Sequence, residues 1–261
     1  MDHQTRQQVA AALLAAYDSK EPLEPLTATH EGMTLEDAYT IQMLQVEQRL
    51  ARGRTVQGHK VGLTSAAMQR LLGVSEPDYG HLLDDFFHLE HMPIPVDLFV
   101  QPRIEPEIAF VLGAPLSGPG VTADDVLAAT EHVVPALEVI DSRIADWKIK
   151  LVDTIADNAS CASVVLGDRR TAPAAVDLTA ATVELRIDGE TVQQGTGAAV
   201  LGHPARAIAW LADALGRFGV GLEAGQVLMP GSLTAAVPLA PGTMVSADFG
   251  PLGDVEARVG P

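Results

Sequence analysis

Pro102-Arg-Ile-Glu-Pro-Glu-Ile-Ala-Phe-Val-Leu112 is the stretch from which the rest of this chain is best read. Ile104 and the run from Ile108 to Leu112 have the apolar, partly β-branched character of a buried strand. Side chains alternate faces along a strand, so Glu105 and Glu107 project to the same side. Two carboxylates in one small volume repel each other, and burying either is costly unless positive charge sits between them. A divalent cation held by oxygen ligands meets that need.

A second run, Val133-Val-Pro-Ala-Leu-Glu-Val-Ile140, carries a single charge, Glu138, inside what reads as a strand buried on both faces. Glu105, Glu107 and Glu138 together make a hard, oxygen-only set suited to Mg2+ or Mn2+, with positions left open for water or substrate. Spacing alone leaves another reading open. Arg103 and Arg143 could pair with these acids, or the strands could lie at an edge.

The chain has 261 residues, 47% of them apolar, which is ample for a large core and argues against disorder. Its net charge of −17 repels nucleic acid and anionic membrane, and it also serves solubility. Cys161 is the only cysteine, so no internal disulfide can form and a reduced cytoplasm is the expected compartment. The polar N-terminus lacks the apolar stretch of a signal peptide, and no window has the length of a membrane span.

Outward from the two acidic strands, Asp2 to Lys20 reads as a helix with Val9, Leu13 and Ala16 or Tyr17 on one stripe. Glu21-Pro-Leu-Glu-Pro breaks it. Thr34 caps a second helix, with Glu36 and Asp37 in its first turn and Arg49 and Arg52 before Gly53. These helices are expected to form an N-terminal cap over 1–54, ahead of a catalytic body over 55–261. Thr55 to Gly62 reads as a strand, and 65–72 as a short helix stopped by Gly73. Thr122 caps a helix expected to reach about His132. Ser160 to Leu166 is strand-like. Thr182–Ile187 and Thr191–Gln194 flank the hairpin signal Asp188-Gly189. His203-Pro204 opens an amphipathic helix to about Phe218. Strand-sized pieces fill the tail from Gln226 to Val259. Strands outnumber helices after residue 55 without regular alternation, which predicts an α+β fold around a mixed or mostly antiparallel sheet.

Other candidates carry less on residue pattern alone. Lys60, in Gly58-His-Lys-Val-Gly-Leu-Thr64, could bind an anionic substrate or move protons, although most lysines are simply exposed. Asp78, in Ser75-Glu-Pro-Asp-Tyr-Gly80, fits an ordinary turn. Asp153-Thr-Ile-Ala-Asp-Asn-Ala-Ser160 reads as a polar loop, of the sort that lines sites or just turns the chain. His88 and His91 lack the further ligands of a zinc site. No glycine-rich turn has the context of a phosphate or dinucleotide site, and Cys161 reads as a small core residue.

These segments together resemble the 2-keto-4-pentenoate hydratase family of the fumarylacetoacetate hydrolase superfamily. The resemblance runs from about Leu35 to the C-terminus. It is carried by Gln101-Pro-Arg-Ile-Glu-Pro-Glu-Ile-Ala-Phe110, by Pro135-Ala-Leu-Glu-Val-Ile-Asp-Ser-Arg-Ile144 and by Val152-Asp-Thr-Ile-Ala-Asp-Asn-Ala-Ser160. Gly58-His-Lys-Val-Gly-Leu-Thr-Ser65 and Pro77-Asp-Tyr-Gly80 add to it. The resemblance implies a highly twisted, barrel-like β-roll with peripheral helices, in a homo-oligomer. It implies Glu105, Glu107 and Glu138 as ligands of Mg2+ or Mn2+, Lys60 and Asp78 as catalytic residues, and Ser160 as a neighbour of the bound 2-oxo acid. Pro106, between the paired acids, departs from the small or apolar residue expected there. It lacks an amide donor, so the strand should be at an edge or irregular at that point.

The reaction so implied is hydration of 2-hydroxypenta-2,4-dienoate to 4-hydroxy-2-oxopentanoate, a step in meta-cleavage breakdown of aromatic compounds. A sister activity, 2-oxo-3-hexenedioate decarboxylase, shares the metal logic but needs a further cationic contact for its second carboxylate. A hydratase of a longer 2-oxo-ene-dioate is another alternative. A non-catalytic subunit supporting a pathway decarboxylase or aldolase is the alternative of a different class.

Overall fold

The computed structural model describes residues 1–65, 69–70 and 73–260. The helix expected over 65–72 lies largely outside the described residues.

The larger sheet has eight strands and curls into a half-barrel. β1 (Val56–Gly62) and β2 (Asp78–Leu83) form one flank, and β3 (Phe87–His88) closes the other. Its centre is the antiparallel pair β4 (Arg103–Leu112) and β5 (Thr130–Ile140), followed by β6 (Cys161–Leu166). β7 (Thr182–Ile187) and β8 (Glu190–Thr196) form the hairpin of a separate four-stranded antiparallel sheet. β9 (Val227–Met229) joins β1 to β4, and the short β10 (Val237–Pro238) pairs with the start of β4. β11 (Met244–Asp248) and β12 (Asp254–Arg258) complete the second sheet. β1 runs parallel to β9 and β3 parallel to β6, with the other pairings antiparallel, so the sheet is mixed as expected. One apolar core spans both sheets, from Ile104, Phe110 and Val139 to Leu185, Val245 and Val255.

Helices cover the roll from outside. In α1 (His3–Ser19) the Asp2 carboxylate accepts from the Thr5 amide at 2.7 Å, and Val9, Ala10, Leu13 and Ala16 form the buried stripe. A short turn, α2 (Leu26–Thr29), leads to α3 (Leu35–Ala51). Thr34 and Asp37 close a reciprocal capping box at its start. Asp37 also takes the Arg6 guanidinium at 2.7 Å and the N-terminal amine at 3.0 Å. Burial alone would raise the Asp37 carboxyl; the bonds from Thr34, the amine and Arg6 more than offset it and hold the group well below its usual range. No helix among the described residues is long and apolar enough to cross a membrane.

Three expectations need correction. The helix capped by Thr122, α4 (Ala123–Ala129), stops earlier than expected, because Thr130 returns its hydroxyl to the Val126 carbonyl at 2.7 Å and begins β5. The β-branched run that follows takes the extended form. The stretch from Asp153 is not simply a loop: α5 (Leu151–Ala156) occupies its first half. Asp153 accepts from the Lys150 amide at 2.8 Å, which caps that helix, and from the Thr27 amide at 2.9 Å. Asp78 is the first residue of a buried strand rather than part of a turn. The amphipathic helix after His203 is α6 (Pro204–Gly216), with its apolar face in the main core.

Candidate active site

β4 and β5 align in the register that sequence periodicity could not supply. Glu105 stands directly across from Glu138, and Glu107 across from Ala136. Directly paired residues on antiparallel strands share a face. All three carboxylates therefore converge, each offering an oxygen within 4.8 Å of the others. Glu107 and Glu138 are buried and Glu105 is half-buried.

Pro106 does not disturb this alignment. Its carbonyl points away from β5 and accepts from the Leu233 amide at 3.0 Å. On that side β4 has no strand partner between its pairings with β10 and β9. The missing amide donor thus falls in a local gap of the sheet, the irregular position a proline tolerates. The same loop fixes an acid: the Gly231 amide donates to Glu107 Oε2 at 2.8 Å. Gly231 has φ +115°, and a Cβ there would lie 2.0 Å from Thr64 Oγ1, so only glycine fits.

Lys60 is one of the few buried cations of the chain. It projects from β1 and places Nζ 3.3 Å from Glu138 Oε1. Across the β1–β2 ladder Lys60 pairs with Gly80, and Gly62 pairs with Asp78. A Cβ on Gly62 would lie 2.1 Å from Asp78 Oδ1, so that absent side chain is what leaves room for the carboxylate. The structure thus brings the three glutamates together and sets Lys60 against Glu138, with Asp78 on the same face of β1–β2 as Lys60.

The electrostatics are those of crowded acids short of positive charge. Burial, then the Glu138 charge, pushes Glu105 up to about 7. Burial and the two neighbouring glutamates push Glu107 well above the carboxylate range, against the Gly231 bond. Burial raises Asp78 to about 6, with Lys60 opposing. Burial would lower Lys60, but Glu138 and Asp78 outweigh it and hold the ammonium charged. Cys161 is packed beside Glu138; burial and then that charge raise its thiol well above its ordinary value.

A hard divalent cation fits this set. Three carboxylates face one volume with one ammonium among them. Glu138 Oε1 has only the Lys60 ammonium at 3.3 Å, and Glu138 Oε2 and Asp78 Oδ1 have no hydrogen-bond partner among the described residues, though all are sealed from solvent. Groups of this kind call for a partner. The arginines do not provide it. Arg103 lies over the Trp147 ring at 4.6 Å, and Arg143 pairs with Asp157 at 2.5 Å.

Ser160 is buried on a tight turn, with Oγ 3.4 Å from Thr154 Oγ1. Asn158, Ala159 and Ser160 all have left-handed backbone, with φ 50°, 52° and 54°. Sequence reading missed Asn158, which clamps β2 by accepting from the His81 amide at 2.8 Å and donating to the His81 carbonyl at 2.9 Å. It also missed the glycines opposite Asp78 and Glu107. Their signal was present in Gly-His-Lys-Val-Gly and Pro-Gly, but a glycine that makes room looks the same in sequence as one that turns the chain.

With this geometry in hand, likeness to known proteins becomes informative. Residues 86–260 match the fumarylacetoacetate (FAA) hydrolase C-terminal family. The chain is 48% identical over 232 residues to 2-hydroxyhexa-2,4-dienoate hydratase of Comamonas testosteroni, covering 88% of each. It is 43% identical over 258 residues to 2-keto-4-pentenoate hydratase of Paraburkholderia xenovorans (strain LB400), covering 99% of this chain and 96% of that one. It superposes with a TM-score of 0.96 and 37% identity on 4-oxalocrotonate decarboxylase from Pseudomonas putida G7, complexed with magnesium and adipate, covering 99% of this chain and 98% of that one. Shared fold, shared length and identities of this size lead to one conclusion: the chain belongs to the fumarylacetoacetate hydrolase superfamily, in its 2-keto-4-pentenoate hydratase branch.

Proposed function

We propose that this protein is a hydro-lyase that hydrates 2-hydroxypenta-2,4-dienoate to 4-hydroxy-2-oxopentanoate. One observation carries the reading: three glutamates offer oxygens within 4.8 Å of one another, beside a buried lysine. The relatives named as hydratases, at 43% and 48% identity, support this activity over decarboxylation.

Glu105, Glu107 and Glu138 would hold a divalent cation, Mg2+ or Mn2+; the magnesium complex of the decarboxylase neighbour supports the choice of metal class. When bound, that ion supplies a Lewis acid for the carboxylate and 2-oxygen of an α-oxo acid and for enolate charge. Lys60, charged and pointing among the acids, is the cationic contact and proton donor. Asp78 takes and returns a proton as the dienol becomes the α,β-unsaturated ketone. Water then adds its oxygen at C4 and a proton arrives at C3. Ser160 contacts the bound 2-oxo acid. Buried Ala136, across from Glu107, and Met229, beside Lys60, lie on the same face as the acids and wall the site with apolar surface.

The same proposal treats 1–54 as a cap on a catalytic body over 55–261. Gln42 of α3 donates to the Tyr79 and Ile155 carbonyls, both at 2.9 Å, and so ties the cap to β2 and α5. A cytoplasmic homo-oligomer, working beside a pathway decarboxylase or aldolase, completes the reading.

Purified protein with Mg2+ and freshly prepared dienoate tests it. Loss of the dienol absorbance, with 4-hydroxy-2-oxopentanoate formed and no CO2 released, is expected. Preferred CO2 release from 2-oxo-3-hexenedioate would make the protein a decarboxylase, and inertness towards both would make it a supporting subunit.

A further inference from the structure

Arg143 and Asp157 are the most deeply buried ion pair in the described residues, each with no exposed side-chain surface. Among the described residues neither makes a hydrogen bond or ion pair with Glu105, Glu107 or Glu138. The guanidinium does more than neutralise Asp157. Nε meets Asp157 Oδ1 at 2.5 Å, Nη2 donates to the Asp157 carbonyl at 2.7 Å, and Nη1 donates to the Cys161 carbonyl at 3.2 Å. The Asp157 carboxylate closes the loop by accepting from the Arg143 amide at 2.9 Å. The Tyr17 ring lies over the guanidinium at 4.2 Å. One planar fork therefore grips both carbonyls that bracket Asn158, Ala159 and Ser160.

Those three residues are the ones held in left-handed backbone, a conformation that residues with a Cβ seldom adopt singly and almost never in succession. Something must compensate for three in a row, and the two-carbonyl grip is the contact positioned to do it. The turn in turn presses on the site. The Asn158 carbonyl lies where a Cβ on Gly80 would meet it at 2.5 Å, and Gly80 is the cross-strand partner of Lys60. The Asn158 amide clamps the His81 backbone, three residues from Asp78.

We infer that Arg143 and Asp157 are positioning residues: their buried fork holds the left-handed turn 158–160, which sets β2 with Asp78 and the backing of Lys60. The kinetic side of this inference rests on the hydratase reading; the structural side does not. An ion pair kept only for stability would lower the stability of the variant but leave its folded fraction with normal turnover.

Arg143→Lys keeps the charge but cannot span two carbonyls with one ammonium. In the folded variant we expect kcat to fall at least tenfold, Mg2+ binding by calorimetry to stay within about twofold, and backbone amide exchange across 78–83 to speed up at least tenfold. Adding Ala159→Gly, which accepts left-handed backbone without a Cβ penalty, should restore much of both losses. Wild-type kcat and exchange in Arg143→Lys would overturn the inference, as would losses that Ala159→Gly leaves untouched. If Arg143→Lys does not fold, Tyr17→Leu, which removes only the stacked ring, carries the same comparison, with at least threefold faster exchange at 78–83 expected and unchanged exchange contradicting. If the wild-type protein is inert towards the dienoate, the hydratase reading fails while the exchange measurements still judge the turn.

Discussion

Gly62 stands opposite Asp78 across the β1–β2 ladder, and a Cβ on Gly62 would lie 2.1 Å from Asp78 Oδ1. Gly62→Ala therefore cannot be accommodated without moving the carboxylate. A displacement of this size at a reacting group costs roughly a hundredfold. Steady-state kinetics should show kcat down by one to two orders of magnitude, about 10- to 100-fold, with the protein still folded and still binding Mg2+. An unchanged kcat would remove Asp78 from the mechanism.

Lys60 supplies positive charge 3.3 Å from Glu138 Oε1. Lys60→Met should reduce turnover by about a thousandfold, the scale of losing a positioned proton donor. Calorimetry should show divalent-ion binding retained or tightened, since a competing cation has gone. Weaker metal binding would mean that Lys60 organises the acids rather than the substrate.

Crowded carboxylates repel, and a cation between them relieves that repulsion. A ligand present at a hundred times its dissociation constant stabilises the folded state by about 2.7 kcal/mol. Chelation should lower the Tm by roughly 5–10 °C for a chain of this size, and Mg2+ should restore it. Glu138→Gln and Glu107→Gln should abolish turnover and blunt that Mg2+-dependent rise. Activity that survives chelation undiminished would contradict the metal site.

Asp37 binds Arg6, the N-terminal amine and the start of α3 with one carboxylate. Its folded-state carboxyl lies well below its ordinary value, so its contribution is present above the unfolded value of about 3.9 and disappears as pH falls through the lowered one. Asp37→Asn should cost about 2 kcal/mol at neutral pH. Denaturant titrations should show the gap between the two proteins narrowing below about pH 4. A gap that persists undiminished at pH 2 (roughly two units below the ordinary carboxylate value) would assign the cost to packing instead.

Some of this was legible in the amino-acid sequence because its physics is local. The two-residue period put Glu105 and Glu107 on one face, a lone charge in an apolar run marked Glu138, and Thr34 with Asp37 spelled out a helix start. What stayed hidden depends on distant partners. Nothing local says that Asp78, after a proline, begins a buried strand rather than a turn; Gly62 across the ladder decides that. No glycine announces the left-handed turn 158–160, because the Arg143 grip takes the place of a glycine. The true partner of Arg143 is Asp157 rather than the site acids: Arg143 lies beyond the end of β5, and its guanidinium is taken up by the Asp157 carboxylate and the Asp157 and Cys161 carbonyls.

The central claim is that Glu105, Glu107 and Glu138 share one divalent cation. Anomalous diffraction from crystals grown with Mn2+ tests it most directly. A single strong peak bonded to one oxygen of each glutamate, at about 2.0–2.6 Å as hard cations require, is the expected result. Three glutamates with no peak between them at saturating Mn2+ would contradict the account.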